Sequence, residues 1–220
     1  MLESLDLPLG VVLGTFGVER HQVTFRGQAA HAGSTPMDKR RDALAGAAKL
    51  ELEIREIAKR TGAGAVCTMG SVVTKPGIVT SVVETAECLL DQRNLDAATL
   101  ASMLDEAKSA SERIAQEEDI EVEWERIWQI EPLPFDPELI DLADSVIADV
   151  AGVSTRLPSG PLHDAAEMAR VVPTVMLFVK SLRGLSHTKE EDTPVEDLEL
   201  SVRALDQLTR RTLNWAQERA

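Results

Sequence analysis

Cysteine is scarce in this sequence, since Cys67 and Cys88 are the only two among 220 residues. Each lies in an apolar run typical of a β-strand, where a free cysteine behaves as a small buried hydrophobic residue. Two thiols without a CxxC spacing indicate neither a disulfide framework nor a zinc knuckle. This pattern is typical of a reducing compartment, so we expect a cytoplasmic location.

Basic residues are also few: 23 Lys and Arg stand against 37 Asp and Glu, which gives a formal net charge of -14. Nucleic-acid binding needs a basic surface that releases counterions from phosphates, so we expect no nucleic-acid partner. For the same electrostatic reason we expect no anionic membrane surface as a partner. A small anionic ligand is not excluded, because a pocket lined by arginine or histidine can bind one.

Long apolar runs are absent as well. No run approaches the roughly 20 residues needed to span a bilayer, and Met1–Gly17 lacks the basic start of a signal peptide. The composition is that of an ordinary globular protein, with 44% hydrophobic and 27% charged residues. A chain of 220 residues can form one large domain or two smaller ones.

Apolar spacing over Val18–Trp128 predicts the order strand, helix, strand, strand, helix, strand. Steps of three and four indicate helices over Ala43–Ile57 and about Asp96–Glu118. The predicted strands are Val18–Phe25, Ala65–Val73, Val82–Asp91 and Glu121–Glu125. His21, inside the first strand and outside any motif, is interpreted as structural. This βαββαβ order is that of a ferredoxin-like split sandwich, which we predict for residues 17–130.

The segments on either side indicate an α/β layer. Leu7–Gly14 is an apolar strand with almost nothing before it, and a lone strand cannot bury both faces. We expect it to join a sheet whose other strands lie elsewhere, which suggests a missing partner. After a crossing at Pro132–Phe135, Asp136 is predicted to cap a helix, and a short helix follows His163. Pro173–Val179 is apolar almost throughout, as expected of a central strand covered on both faces.

The last helix is predicted to begin at a capping box that opens with Thr193. Its apolar stripe consists of Leu198, Val202, Leu205 and Trp215. Helices that alternate with a buried strand predict the α/β class. We therefore predict a ferredoxin-like domain over 17–130, inserted in a partial α/β layer formed by residues 1–16 and 131–220.

The loop Gly27–Met37 surrounds His31 with small residues, so the imidazole can approach a ligand without crowding. A solvated histidine in a surface loop is the alternative interpretation. Together with Arg40–Ala43, the loop resembles the GHAG-[ST]-TPM…RRDA segment of the M20-type amidohydrolases. That family comprises N-carbamoyl-L-amino acid hydrolases, allantoate amidohydrolases and β-ureidopropionases, and usually has glycine where this sequence has Ala30.

Four further stretches resemble the same family in the same order along the chain. They are Pro76–Val83, similar to P-x-x-x-N-V-I-P; Asp91–Arg93, similar to D-x-R; Pro158–Ala165, similar to PSGAGHDA; and Gly184–Glu191, similar to GISHSPEE. Any one match alone would be weak. Their order and their spread over nearly the whole chain make the resemblance to the carboxyl-terminal part of such an enzyme specific.

The resemblance implies a role for each matching residue. His31 would stabilise the oxyanion at the scissile carbonyl, and would reach the active site of the partner subunit in a homodimer formed by the lid domain, residues 17–130. Arg93 would hold a substrate carboxylate with its planar fork. His187 would be a metal ligand in the catalytic layer. The residues that would line the substrate pocket are Thr80, Gly160, Leu162 and His163.

Plainer interpretations stay open for several of these residues. His187 is followed by two glutamates and can simply pair with one of them. Arg93 stands near a strand end and can pair with Asp91 or Glu87. His163 can be tied to the aspartate that follows it.

Two departures from the family pattern leave the substrate class undetermined by the resemblance. Thr80 replaces an asparagine that helps to bind substrate, and a hydroxyl cannot offer the two donors and separate acceptor of an amide. Leu162 replaces a glycine whose backbone lies close to the substrate, so its side chain could block that approach.

The resemblance also implies two divalent metal ions, zinc or manganese, per site in the complete enzyme. Most of their ligands would come from an amino-terminal half that this sequence does not contain. Cleavage of an unreactive amide or ureido bond needs a metal that acidifies water and polarises the carbonyl. His187 alone cannot hold a transition metal in that geometry, so we expect this chain to bind no metal and to be inactive alone.

The sequence is compatible with more than one function. The first is part of an amidohydrolase that cleaves N-carbamoyl or ureido acids, which are small molecules that carry a carboxylate. The second is a truncated paralogue that has lost catalysis and acts as a dimerisation and binding module. A fragment of an M20 peptidase is the runner-up chemistry. A regulatory ferredoxin-like domain that senses a small ligand is disfavoured, because the α/β tail has motif residues that it would not need.

Overall fold

A computed structural model describes residues 2–62 and 64–219 of the chain. The helices are α1 (Leu2–Leu5), α2 (Ala43–Thr61), α3 (Ala97–Glu117), α4 (Pro137–Ala151), α5 (Asp164–Ala169) and α6 (Val195–Gln217). The strands are β1 (Leu9–Thr15), β2 (Gly17–Arg26), β3 (Ala30–His31), β4 (Val66–Lys75), β5 (Ser81–Val82), β6 (Thr85–Asn94), β7 (Glu121–Ile130), β8 (Leu133–Pro134), β9 (Arg156–Ser159) and β10 (Met176–Val179).

The chain divides into two compact units. The central unit is Phe16–Pro132, and the flanking unit combines Met1–Thr15 with Leu133–Ala220. Met1 and Ala220, the outer ends of the predicted α/β layer, lie outside the described residues. Both units contain helices and sheet, so the predicted α/β class is confirmed.

The central unit is an antiparallel sheet in the order β4-β6-β2-β7, against which α2 and α3 pack. Its long elements follow the predicted order of strands and helices. The residues predicted to face inward from α2 are all fully buried: Ala43, Ala47, Leu50, Ile54 and Ile57. One prediction was wrong, because Val82 does not begin the third long strand. It lies in the short strand β5, which pairs with β3, and β6 begins three residues later.

The flanking unit is built around β1. This strand pairs with β10 and β8 in antiparallel fashion and with β9 in parallel. Leu9, Val11 and Val12 are therefore fully buried. The expectation that this strand joins a sheet whose other strands lie elsewhere is confirmed. Those strands come from the carboxyl-terminal half of the chain, so the pairing of β1 needs no missing partner. The central strand is β1 rather than β10, which among the described residues pairs only with β1 and is half-buried.

Two predictions about helix starts had different outcomes. The Asp136 carboxylate accepts hydrogen bonds from the backbone N–H groups of Glu138 and Leu139, both at 3.0 Å, which confirms it as the cap of α4. The prediction of a capping box that opens with Thr193 was wrong. The Thr193 hydroxyl instead donates to the Lys180 carbonyl at 2.9 Å, and α6 begins after Pro194 without a side-chain cap.

The predicted stripe of α6 also differs from the face that is buried. Ala204 and Leu208 are buried and face β1 and α4. In contrast, Leu198, Val202 and Leu205 are 44%, 67% and 59% exposed. Every helix within residues 2–62 and 64–219 is too short or too polar to cross a membrane.

A polar group lies in the core of the central unit. His21 is buried, with its ring 5.5 Å from that of Trp124 in an edge-on arrangement. Burial lowers the pKa of His21 from 6.5 to about 4, and the positive charges of Lys108 and Arg126 contribute in the same direction. Burial likewise raises the pKa of Glu19, whose carboxylate is 3.8 Å from His21 Nε2. His21 is thus neutral at pH 7 and structural, as interpreted from the sequence.

Removing buried side-chain volume from α2 should destabilise the central unit. We expect Ile54→Ala to lower the free energy of unfolding by about 2–5 kcal/mol, because Ile54 is fully buried. The control Leu52→Ala, on the same helix but 66% exposed, should change it by less than about 0.5 kcal/mol. Urea unfolding followed by fluorescence in a Trp215→Phe background reports on this unit, because Trp124 and Trp128 lie in it. Equal effects of the two substitutions would contradict the packing described.

Acid should destabilise the fold through His21. A folded pKa of about 4 against 6.5 means that the unfolded chain binds the proton first. Stability is therefore complete above pH 6.5 and is lost as the pH falls toward 4, by up to about 3 kcal/mol. Glu19 acts with the opposite sign because its folded pKa is raised. Urea unfolding of wild type and His21→Leu across this range isolates the His21 contribution; an unchanged pH slope in the variant would refute it.

Candidate active-site residues

His31 lies at the end of β3, which β5 holds in place. His31 pairs with Ser81 across the two strands, and the Ala32 N–H donates to the Thr80 carbonyl at 2.9 Å. Arg40 fixes the other side of the loop, since its guanidinium donates to the Ala32 carbonyl at 2.7 Å and to the Thr35 carbonyl at 3.2 Å. The loop is therefore held by backbone pairing and one arginine.

The imidazole of His31 has a defined hydrogen-bonding pattern. Its Nδ1 accepts from the backbone N–H groups of Gly33 at 3.1 Å and Ser34 at 3.2 Å. An acceptor nitrogen carries no proton, so the neutral ring holds its proton on Nε2. A Cβ at Gly33 would lie 3.2 Å from His31 Cε1, so glycine allows this close approach. His31 is exposed, and its neutral ring carries the N–H donor at Nε2.

Thr80 and Arg93 lie in the same unit as His31. Thr80 is exposed, and its backbone carbonyl rather than its hydroxyl contacts the His31 loop. Arg93 lies on β6 and donates from Nε and Nη2 to the two carboxylate oxygens of Asp91, at 2.6 and 3.1 Å. Arg20 donates to the same carboxylate at 2.8 Å. Arg93 therefore pairs with Asp91, as the plainer interpretation expected. Glu87, the other partner considered, pairs with Lys75 instead.

The Asp91 carboxylate stays charged in this cluster. Burial opposes its ionisation, but the hydrogen bonds from Arg93 and Arg20 outweigh burial, and the pKa of Asp91 is lowered. A charged Asp91 holds the Arg93 guanidinium in one plane, which suits the bidentate recognition of a second carboxylate.

Gly160, Leu162 and His163 lie in one loop of the flanking unit, between β9 and α5. The loop is tightened by the Ser159 hydroxyl, which donates to the Pro161 carbonyl at 2.7 Å. Gly160 is half-buried, and the Leu162 side chain is 46% exposed. The His163 ring is 5.7 Å from Phe178 on β10, and its Nε2 is buried without a hydrogen-bond partner among the described residues. Within the described residues, no hydrogen bond joins the His163 side chain to Asp164.

His187 lies in the loop between β10 and α6 and has a left-handed backbone, with φ at +59°. Its backbone N–H, not its imidazole, donates to the Glu191 carboxylate at 2.6 Å. The Arg183 guanidinium donates to the Glu190 carbonyl at 3.3 Å across the same loop. Glu191 therefore fixes the backbone of His187, and the imidazole remains exposed.

The loops that follow β9 and β10 leave the sheet at opposite ends. This follows because β9 is parallel to β1 whereas β10 is antiparallel to it. The rule that open parallel sheets gather ligands at one carboxyl edge therefore does not apply to His163 and His187. Among the described residues, no hydrogen bond joins the two side chains.

The metal ions that the family resemblance implies do not fit the residues present. A structural or catalytic transition-metal site needs three or four protein ligands. Within residues 2–62 and 64–219, no group of three or more His, Cys, Asp or Glu side chains is placed to hold a metal. Within the described residues, His187, the ligand that the resemblance implies, therefore belongs to no such group.

Two residues with clear positioning roles had no role assigned from the sequence. Arg40 fixes the His31 loop, and Glu191 fixes the His187 backbone. Both lie inside the matching motifs, four or more residues from the histidine they support. The motifs could have indicated them, but the atoms that they contact are backbone groups, which sequence spacing does not identify.

Neutral His31 should be observed as the Nε2–H tautomer. The sequence has only 4 histidines, so a long-range ¹H–¹⁵N spectrum of the histidine-labelled chain can be assigned with a His31→Asn variant. We expect Nδ1 to resonate as an unprotonated nitrogen, because two backbone N–H groups point at it. Gly33→Ala, which crowds the ring, should weaken that preference. A protonated Nδ1 would contradict the arrangement.

The sequence is similar to those of two bacterial amidohydrolases. The N-carbamoyl-L-amino acid amidohydrolase of Geobacillus stearothermophilus is 33% identical over 205 residues, which cover 93% of this chain and 50% of that protein. The allantoate amidohydrolase of Escherichia coli (strain K12) shows the same identity and coverage. The chain thus spans about half the length of the curated relatives it matches.

The fold has close counterparts among solved structures. A hydantoinase/carbamoylase family amidase from Burkholderia multivorans superposes with a TM-score of 0.89 and 32% identity, over 96% of this chain and 52% of that one. The sequence model of the family described as peptidase family M20/M25/M40 matches residues 7–211 of this chain. Because that match covers nearly all of the sequence, the chain belongs to peptidase family M20/M25/M40.

Proposed function

We propose that the chain supplies part of the active site of an amidohydrolase that cleaves the C–N bond of N-carbamoyl amino acids, or of ureido acids such as allantoate. The names of the relatives support this chemistry. The five family motifs support it in this chain. Since the chain spans about half of those relatives, the complete activity needs residues that it does not contain.

The geometry of His31 is the observation that carries the proposal. Hydrolysis of an amide or ureido carbonyl develops negative charge on oxygen, and a positioned N–H donor stabilises that charge. His31 Nδ1 is occupied by two backbone donors, which leaves Nε2–H as the donor of the neutral ring on an exposed loop. We assign His31 as the donor to the oxyanion, and we propose that it acts in the site of the partner subunit.

Arg93 would bind the substrate carboxylate, with Asp91 and Arg20 holding its guanidinium in place. Thr80, Gly160, Leu162 and His163 would line the pocket. Leu162 is 46% exposed and occupies volume that the family leaves to glycine, so we propose a smaller or differently shaped acyl group than in the relatives.

The two units would have separate roles. Residues 17–130 would form a ferredoxin-like lid and dimerisation domain, which β4 supports as an edge strand that exposes Val66, Val72 and Val73. Residues 1–16 and 131–220 would belong to the catalytic domain, where His187 would serve as one ligand to zinc or manganese in the complete enzyme. The isolated chain would be inactive. A truncated paralogue that acts only as a binding and dimerisation module is the alternative, and the departures from the family pattern at Thr80 and Leu162 favour it.

A chimera tests the proposal. The chain would replace the matching half of the Geobacillus enzyme as one continuous polypeptide, and hydrolysis of N-carbamoyl-L-amino acids, allantoate and dipeptides would be compared. We expect activity on a carbamoyl or ureido substrate, a decrease in kcat of about 10²–10³-fold in His31→Ala, and mainly a raised KM in Arg93→Lys, since lysine cannot bind a carboxylate bidentately.

Leu52→Ala, exposed on α2, is the matched control and should keep the activity of the parent chimera. A folded chimera without turnover would favour the binding module. Turnover of dipeptides alone would assign peptidase chemistry, and full activity in His31→Ala would remove the proposed role of that residue.

A further inference from the structure

Two arginines of the central unit share one carboxylate. Arg93 donates to both oxygens of Asp91 from β6, and Arg20 donates from Nε to Asp91 Oδ2 at 2.8 Å from the neighbouring strand β2. Asp91 is charged because these hydrogen bonds lower its pKa. The three side chains are 22–45% exposed and carry two positive charges and one negative charge. The cluster is therefore locally cationic, although the chain as a whole is acidic.

This cluster lies on the face of the sheet that is turned away from α2 and α3. Side chains alternate between the two faces of a strand, and Val23 and Phe25 of β2 pack in the helix-covered core. Arg20 therefore points to the opposite face, where it is exposed. Its neighbours across the sheet are Asp91 on β6 and Trp128 on β7.

The guanidinium of Arg20 is held from two directions. Its Cζ atom lies 4.9 Å from the centroid of the Trp128 ring, and its Nε is bonded to Asp91. Across the part of the chain that the structure describes, no hydrogen bond uses Nη1 or Nη2 of Arg20. Stacking on an aromatic ring orients a guanidinium without using its N–H groups. Arg20 thus offers two N–H donors that are suited to a further carboxylate.

We propose that Arg20 binds a second carboxylate of the substrate, so that the substrate is an N-carbamoyl or ureido derivative of an acidic amino acid. Arg93 would bind the α-carboxylate, and Arg20 would bind the side-chain carboxylate. The inference rests on the proposed function, because it takes Arg93 as the residue that binds the first carboxylate. It adds the substrate class, a diacid, and a residue that selects it.

The spacing of the two arginines suits a small diacid. Both guanidinium groups contact the carboxylate of Asp91, at 2.6–3.1 Å, so one ligand of the size of glutamate can reach both. The methylene groups of such a ligand would contact apolar surface on the same face of the sheet. Trp128 and Leu89, which are 38% and 44% exposed, supply that surface.

The overall acidity of the chain is compatible with a dianionic ligand. Charges farther away than about 8–10 Å are largely screened at physiological ionic strength, so the nearest groups dominate. On β7, Glu125 lies opposite Gln22 rather than opposite Arg20. The carboxylate in contact with Arg20 is that of Asp91, which Arg93 also neutralises.

Positioning of Arg93 is the competing role for Arg20. In that role Arg20 would hold Asp91, and its loss would weaken the binding of every substrate to the same extent. Arg93 already contacts both oxygens of Asp91, so this carboxylate orients the Arg93 guanidinium without a second cation. The stacked guanidinium of Arg20, with two N–H donors to spare, is therefore better explained by a ligand.

A pair of matched substrates tests the proposal. N-carbamoyl-L-glutamate and N-carbamoyl-L-glutamine have nearly the same shape, and only the first has a second carboxylate. In the chimera we expect kcat/KM to be about tenfold or more higher for the glutamate derivative, because bidentate hydrogen bonds to a charged group are strong. Arg20→Gln should abolish this preference, and Arg20→Lys should keep part of it, since lysine retains the charge but not the planar fork.

Arg26→Gln is the matched control, because Arg26 lies on the same face of β2 and pairs with Glu123 instead. It should keep the preference of the parent chimera. Equal losses for both substrates in Arg20→Gln would overturn the proposal and assign Arg20 to the positioning of Arg93. An active parent chimera that does not prefer the glutamate derivative would overturn it as well.

Binding to the 220-residue chain tests the same subsite without turnover. Each of the two ligands would be titrated while NMR follows the Nε–H signal of Arg20 and the indole N–H signal of Trp128. We expect the glutamate derivative alone to shift both signals, and the Trp128 shift to disappear in Arg20→Gln.

This measurement separates the subsite from the catalytic proposal. The expected shifts, together with a folded chimera that lacks turnover, would leave the subsite assigned and the catalytic proposal refuted. Equal shifts with both ligands, or no shift with either, would overturn the subsite even if the chimera hydrolysed its substrates.

Discussion

The burial of one apolar strand determines the organisation of this chain. β1 is fully buried at Leu9, Val11 and Val12, and its hydrogen-bonding partners β8, β9 and β10 all come from beyond residue 132. A strand this apolar must be paired on its edges and covered on its faces, so the two ends of the chain are held together. The central unit, Phe16–Pro132, is consequently an insertion between β1 and its partners. The loops that carry His163 and His187 begin from those partner strands.

The spacing of apolar residues and the capping residues were enough to predict elements that depend only on neighbours in the sequence. The five inward residues of α2 and the Asp136 cap are examples, because helical spacing and capping depend on near neighbours. The partners of β1 could not be predicted, since pairing across more than a hundred residues leaves no periodic signal. Helix α6 has two apolar faces, and the spacing of its apolar residues could not show which of them is buried in the flanking unit.

The candidate site residues also combine what the sequence predicted with what only the structure shows. The motifs located His31, Arg93 and His187, and the structure adds what each side chain does locally. The tautomer of His31 follows from two backbone donors in a turn, and the Arg93 fork is set by Asp91. The left-handed backbone of His187 depends on Glu191. The net charge of -14 is therefore compatible with the proposed binding of a small carboxylate by Arg93.

β1 holds the flanking unit together, and amide hydrogen exchange of the 220-residue chain, followed residue by residue, tests this directly. We expect the Val11 amide, which donates to the Thr155 carbonyl at 2.9 Å, to be among the most protected of the flanking unit. If the amides of Leu9–Val12 exchanged as fast as those of the loop around His187, β1 would not hold the flanking unit together, and the positions of His163 and His187 on its partner strands would be wrong.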